Sequence, residues 1–184
     1  MAIPRPEHPL PQMRRNDWLN LNGWWEFEID HGKSGLHRKL QEADSLAGKI
    51  LVPFCPESDL SGVGNKDFME MVWYRRSVTL PESWREGRVF LHFGAVDYHA
   101  RVFVNGQKAG EHVGGYSSFC MDITGLLKDG DNVITLCAED NQRTGRQPRG
   151  KQSFRPEPFE CWYTPSSGIW QPVWLEAVGM KYVE

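Results

Sequence analysis

The chain of 184 residues has no run of about 18 apolar residues, which excludes a membrane-spanning helix. It has no CxxC pair. The four cysteines, Cys55, Cys120, Cys137 and Cys161, are widely separated, which argues against a zinc ribbon or a dithiol redox motif. The six histidines form no spaced ligand pair, so no metal is expected, and nothing in the sequence calls for a cofactor. There is no basic excess. The formal net charge is −3, which gives no field to attract nucleic acid. The N-terminus, Met1-Ala2-Ile3-Pro4-Arg5-Pro6, has no apolar core of a signal peptide, so a cytoplasmic protein is the expectation. A sustained helical period is missing as well.

What is there is a β pattern. A hydrophobic content of 40% with 24% charged residues suits one globular domain. Trp25, Phe27 and Ile29 alternate with Glu26, Glu28 and Asp30, the period of a half-buried strand. Further strands are expected over 49–52, 72–80, 88–94, 98–104, 107–113, 119–123, 132–139 and 172–178. Asn105-Gly106 marks a tight hairpin, because both residues tolerate positive φ. A short helical turn is expected around 36–43, and another from Thr124 to Leu127. Residues 1–17, rich in proline and charge, read as an extended arm, and residues 18–184 as the domain. Roughly eight or nine short strands with regular turn signals imply an antiparallel β-sandwich of Greek-key or jelly-roll type. Val89-Phe90-Leu91 is apolar on both faces, so its outer face should be covered, for instance by another domain. Cys120 and Cys137 read as small buried hydrophobes in a reducing compartment.

Two stretches, 53–71 and 141–160, carry no periodicity. Loops of this length are usually functional or disordered. The second holds Arg143, Arg146, Arg149, Lys151 and Arg155, and suits either a binding loop or a solvated flexible one. It leads into Cys161-Trp162-Tyr163-Thr164-Pro165-Ser166-Ser167-Gly168-Ile169-Trp170, an aromatic-rich turn that suits either a sugar-facing surface or a packed sandwich edge.

An ordered series of short motifs carries a family resemblance: Leu21-Asn22-Gly23-Trp24-Trp25; Trp73-Tyr74-Arg75-Arg76; Val102-Phe103-Val104-Asn105-Gly106; His112-Val113-Gly114-Gly115-Tyr116; Asp122-Ile123-Thr124; and Ser167-Gly168-Ile169-Trp170-Gln171. Across roughly residues 16–178 the chain resembles the N-terminal sugar-binding domain of glycoside hydrolase family 2, the β-galactosidase and β-glucuronidase family. The resemblance implies a galactose-binding-domain-like jelly roll. It also implies that the immunoglobulin-like domain and the (β/α)8 barrel with the two catalytic glutamates lie outside this chain. No catalytic residue is therefore expected here.

The resemblance implies substrate contact instead. The family's acidic residue before the final aromatic motif corresponds to Glu160, in Glu160-Cys161-Trp162. A carboxylate can grip two hydroxyls. The alternative for Glu160 is a surface pair with Arg155 or Lys151. Trp162 could stack on a sugar or pack beneath the turn, and Glu57 lies in a loop that relatives place near substrate. The sequence departs from the pattern in having Glu at 160 where galactosidases often have Asp, and in the extra Thr164-Pro165. Asp140 reads as a strand-end cap, His112 as a structural hydrogen-bonding group, Arg75 and Arg76 as strand residues pairing with neighbours or a second domain, and Trp73, Trp84, Trp170 and Trp174 as core or interdomain anchors. The expected function is a non-catalytic domain of a retaining, β-galactosidase-like enzyme of carbohydrate metabolism. Its partners would be a β-glycoside and the enzyme's own later domains, with a homo-oligomeric parent left open. A free-standing carbohydrate-binding module is the alternative, as is a β-glucuronidase or β-mannosidase parent.

Overall fold

A computed structural model of the protein describes residues 2–183. Among these residues the strands in chain order are β1 (Trp18–Asn20), β2 (Gly23–Ile29), β3 (Gly48–Val52), β4 (Met71–Thr79), β5 (Arg88–Phe93), β6 (Val96–Asp97), β7 (His99–Val104), β8 (Gln107–Val113), β9 (Phe119–Asp122), β10 (Asp131–Glu139), β11 (Gly168–Ile169) and β12 (Val173–Val178). The rest of the regular structure is short 3-10 turns. Leu40–Glu42 and Thr124–Leu126 fall where helical turns were expected. β1, β6 and β11 were not expected, since two or three residues are too few to show a period.

Two antiparallel sheets face each other. One has the order β1-β12-β5-β9, the other β3-β2-β4-β10-β7-β8, and β6 and β11 form a separate two-residue pair. This is the jelly-roll type of sandwich that the strand pattern implies. The β7–β8 hairpin turns at Asn105 and Gly106, both at positive φ (51° and 79°). Alternation decides what enters the core. Val89, Leu91 and Phe93 of β5 point inward and are fully buried, as do Ile134, Leu136 and Ala138 of β10. Each such side chain contributes about 1.5–3 kcal/mol on leaving water.

The outer faces are covered too, by the chain itself. Trp73, Phe103 and Cys137 on the outside of the six-stranded sheet pack under Leu40 and Leu46. On the four-stranded sheet, the N-terminal arm lies across β12. His8 is buried there and contacts Trp18 edge-on at 4.6 Å. Its ring pairs with Glu176 at 3.1 Å, and Arg15 reaches the same carboxylate at 3.2 Å. Phe90 packs near Tyr182, with ring centroids 5.5 Å apart. Cover for this strand's outer face thus comes from both ends of this chain.

No disulfide links the four cysteines. Cys137 is buried as expected. Cys120 is exposed, because position 120 falls on the outward phase of β9, opposite His92. No helix among the described residues is long and apolar enough to cross a membrane.

Candidate functional site

The pairing of β6 with β11 places Asp97 opposite Gly168. That brings a carboxylate from an otherwise apolar run, Ala95-Val96, next to the Ser166-Ser167 segment 70 residues later. Asp97, Tyr116, Lys151, Gln152, Tyr163 and Trp170 line a cavity of about 320 Å³ there. Tyr116 and Trp170 meet edge-on at 5.9 Å, and the Trp170 indole donates to the Gly115 carbonyl at 2.8 Å. Gly115 must be glycine for a steric reason: a Cβ at this position would lie 2.4 Å from Asp97 Oδ1.

Asp97 is almost wholly buried, at 1% exposure. Its Oδ2 accepts from Gln152 Nε2 at 2.6 Å, whereas Oδ1 has no hydrogen-bond partner. A buried acceptor without a donor is costly and uncommon. Behind it lies a linked polar layer. Gln142 bridges Gln152 Oε1 (2.9 Å) and Asp140 Oδ2 (2.7 Å), and Gln147 donates to Asp140 Oδ1 at 2.6 Å. The Ser167 hydroxyl also donates to Asp140, at 2.9 Å, and the Ser167 N–H lies between the two oxygens of Glu57.

Burial pushes the Asp97 carboxyl up to about 7, helped by the nearby charge of Asp140 and opposed by the Gln152 hydrogen bond. Burial likewise raises Glu57 to about 7, against the Ser167 N–H that favours its charged form. Asp140 is also raised by burial, with Gln142, Ser167 and Gln147 holding it down. Three carboxyls that share one buried layer thus hold protons more tightly than surface groups do.

The three residues singled out from the sequence occupy different places. Glu57 sits inside this layer, 4% exposed, and faces Ser167 rather than solvent. Glu160 lies at the exposed tip of a tight hairpin closed by Phe159 and Trp162, whose backbones exchange hydrogen bonds of 3.2 and 2.8 Å. Its φ is +49°, a left-handed conformation that is unfavourable for a residue with a Cβ. Among the described residues Glu160 makes no ion pair, with Arg155, Lys151 or any other cation. Trp162 is half-buried beneath the tip, against Phe159 at 6.3 Å and Phe154 at 6.4 Å.

The loop over 141–160 is built, not loose. Arg149 lies over the rings of Phe154 and Trp162 at 5.0 and 5.5 Å, and Arg155 over Phe159 at 4.4 Å. Gln152 pairs with Tyr163 in a parallel bridge, which ties the cavity to the hairpin. Asp140, expected as a strand-end cap, instead accepts from the side chains of Gln142, Gln147 and Ser167 across the loop. His112 bonds Ser117 at 3.1 Å and stacks on Phe119, and Arg75 pairs with Glu26 at 2.7 Å.

Sequence reasoning missed Asp97, Gln152 and Tyr116. Two signals were available: a carboxylate within an apolar run, and the Gly114-Gly115-Tyr116 step after a strand. Neither says which distant loop closes over it.

The family description "Glycosyl hydrolases family 2, sugar binding domain" matches residues 60–154. The chain belongs to this family. It is 33% identical over 134 residues to a β-glucuronidase of Bacteroides fragilis, an overlap of 70% of this chain and 17% of that protein. It is 30% identical over 121 residues to a β-galactosidase of Thermoanaerobacter pseudethanolicus, covering 65% and 15%. Its fold superposes on a β-glucuronidase structure from an uncultured Clostridium with a TM-score of 0.73 and 26% identity, over 94% of this chain and 31% of that one. The chain therefore spans about a fifth of the length of the curated relatives it matches. The matched family segment includes Asp97, Tyr116 and Gln152 and stops short of Glu160.

Proposed function

We propose that this chain is the N-terminal, non-catalytic domain of a β-glycoside hydrolase, and that its Asp97 cavity and 158–163 hairpin form one edge of the sugar site. The observation that carries this reading is the aromatic-walled cavity of about 320 Å³, lined by Asp97, Tyr116, Tyr163 and Trp170, which the Gln152–Tyr163 bridge ties to the hairpin that holds out Glu160. Tyrosine and tryptophan rings suit the apolar face of a pyranose. Glu160 supplies the acceptor for sugar hydroxyls, held out unpaired at a strained hairpin tip. Glu57, clamped on Ser167, fixes the wall of the cavity and does not itself touch sugar.

Cleavage with retention needs two carboxyls about 5–5.5 Å apart on either side of the scissile bond. Glu57, Asp97 and Asp140 are buried in one layer and tied to protein donors, so the chemistry falls to a barrel domain beyond this chain. The relatives' names divide between glucuronidase and galactosidase. The Lys151 ammonium among the cavity residues suits a uronate carboxylate, so a β-glucuronide stands beside a β-galactoside as the substrate.

The test is hydrolysis of p-nitrophenyl β-D-galactoside and β-D-glucuronide by the enzyme containing this domain. Asp97→Asn and Glu160→Ala should each lower kcat/KM about 10-fold or more, equivalent to about 1.4 kcal/mol of transition-state binding. The 184-residue chain alone should give no turnover. Turnover by that chain, or unaltered kcat/KM in both variants, would sink the reading.

A further inference from the structure

We propose that Arg149 is the positioning residue of the 158–163 hairpin: its guanidinium anchors the rings beneath Glu160 to the buried polar layer behind the cavity. The proposal rests on the sugar-site reading above, which gives Glu160 its ligand, and adds the group that aims it.

The tip does not hold its own shape. Glu160 and Cys161 are both exposed, and the turn is closed by the two backbone bonds between Phe159 and Trp162. A residue with a Cβ at φ +49° is unfavourable, and such a conformation persists only where its surroundings impose it. Those surroundings lie below the tip. Phe159 and Trp162 stack at 6.3 Å, and Phe154 meets them edge-on at 5.5 and 6.4 Å. All three rings belong to one excursion of the chain. It closes at its base, where the Ser153 and Tyr163 N–H groups donate to the Tyr163 and Lys151 carbonyls at 2.7 and 2.8 Å.

Two cations lie on these rings. Arg155 covers Phe154 and Phe159 at 5.4 and 4.4 Å, but it belongs to the same excursion and travels with it. Arg149 comes from outside. Its guanidinium carbon lies 5.0 Å from the Phe154 ring centre and 5.5 Å from that of Trp162. Its Nη1 donates to the Gln142 carbonyl at 3.0 Å, and the Gln142 amide in turn bonds Asp140 and Gln152. The Arg149 carbonyl accepts from the Tyr116 hydroxyl at 3.0 Å and from the Gln152 N–H at 3.1 Å. The main chain of Arg149 thus grips the cavity wall, while its side chain joins the polar layer to the hairpin. Among the described residues Arg149 makes no ion pair, so its charge is spent on two rings and a carbonyl. A planar guanidinium can lie on rings and still donate in its own plane, which an ammonium cannot do.

The experiment has two arms. In the 184-residue chain, hydrogen exchange of the Phe159 and Trp162 amides is followed by NMR, with the Leu136 amide of β10 as the reference for global opening. In the enzyme containing this domain, kcat/KM for the two p-nitrophenyl glycosides is measured for Arg149→Met, Arg149→Lys, Glu160→Ala and the double variant Arg149→Met with Glu160→Ala. Arg149→Met should speed exchange at Phe159 and Trp162 about 10-fold and leave Leu136 unmoved. It should lower kcat/KM about 10-fold, Arg149→Lys should recover little of that loss, and the double variant should be no worse than Glu160→Ala alone. Unmoved exchange at the hairpin, equal acceleration at all three amides, losses that simply add, or full rescue by lysine would each overturn the positioning role. If Arg149→Met does not fold, Arg149→Lys carries the exchange test, and unmoved hairpin amides in that variant reject the proposal. If Glu160→Ala leaves kcat/KM unaltered, the assignment of Glu160 to the sugar site fails, while the exchange rates still decide whether Arg149 holds the hairpin.

Discussion

The backbone N–H of Ser167 lies 3.1 and 3.2 Å from the two oxygens of Glu57, a residue 110 positions earlier. With the Ser167 hydroxyl on Asp140 and the Ser166 N–H on Gln152, this contact holds the turn between the 158–163 hairpin and β11, and so the wall of the Asp97 cavity. Replacing Glu57 by Ala should cost about 1–3 kcal/mol, because the Ser167 N–H is left buried without an acceptor. Glu57→Gln keeps an acceptor and should cost about 1 kcal/mol or less. Urea unfolding of the three proteins checks the order. Equal losses in both variants would mean that packing, not the bond, is what matters.

The buried carboxyls make a pH prediction with a definite sign. Asp97 and Glu57 titrate near 7 in the fold and at ordinary carboxylate values, near 4, when unfolded. The folded state therefore binds more protons between these limits. Their contribution to stability is complete below about pH 4 and is lost as pH rises through about 7. Stability should fall by on the order of 5 kcal/mol from pH 5 to pH 8 through these two groups, roughly 2–3 kcal/mol for each. Asp97→Asn and Glu57→Gln should each flatten the curve of unfolding free energy against pH. A curve that rises over this interval would contradict the assignment.

Glu160 offers a separation of stability from function. At φ +49°, glycine is free of the strain that a Cβ carries. Glu160→Gly should leave the melting temperature of the chain unaltered or raise stability by up to about 1 kcal/mol. The same change should weaken glycoside turnover in the enzyme containing this domain. A drop in melting temperature would show that the carboxylate at the tip is structural.

Gly115→Ala is the steric counterpart. The added methyl would sit on Asp97 Oδ1, so either the carboxylate or the turn before Tyr116 must move. Overpacking of this kind typically costs about 1–3 kcal/mol. Thermal denaturation should show the loss, and the Asp97 carboxyl resonance should shift. A variant with native stability and an unshifted resonance would mean that the turn is softer than its packing implies.

Most of the strands were legible because alternation needs only local information. Trp25 and Phe27, or Leu91 and Phe93, announce their inward face within a few residues. β6 and β11 were not legible, since a two-residue strand has no period. They exist because each supplies the other's backbone partners. Cys120 shows the same limit: its apolar surroundings suggested burial, yet its phase on β9 points it outward.

The order of motifs, the two-layer antiparallel architecture and the family were all determined by the sequence itself, because each depends on residue spacing along one chain. Which groups form the site was decided only by tertiary structure. Asp97, Gln152 and Ser167 meet through hydrogen bonds between segments up to 70 residues apart, and no local pattern encodes a partner at that distance. The burial that raises Asp97 and Glu57 comes from the same closure: a carboxyl's proton affinity depends on what surrounds it in space, not on its neighbours in sequence.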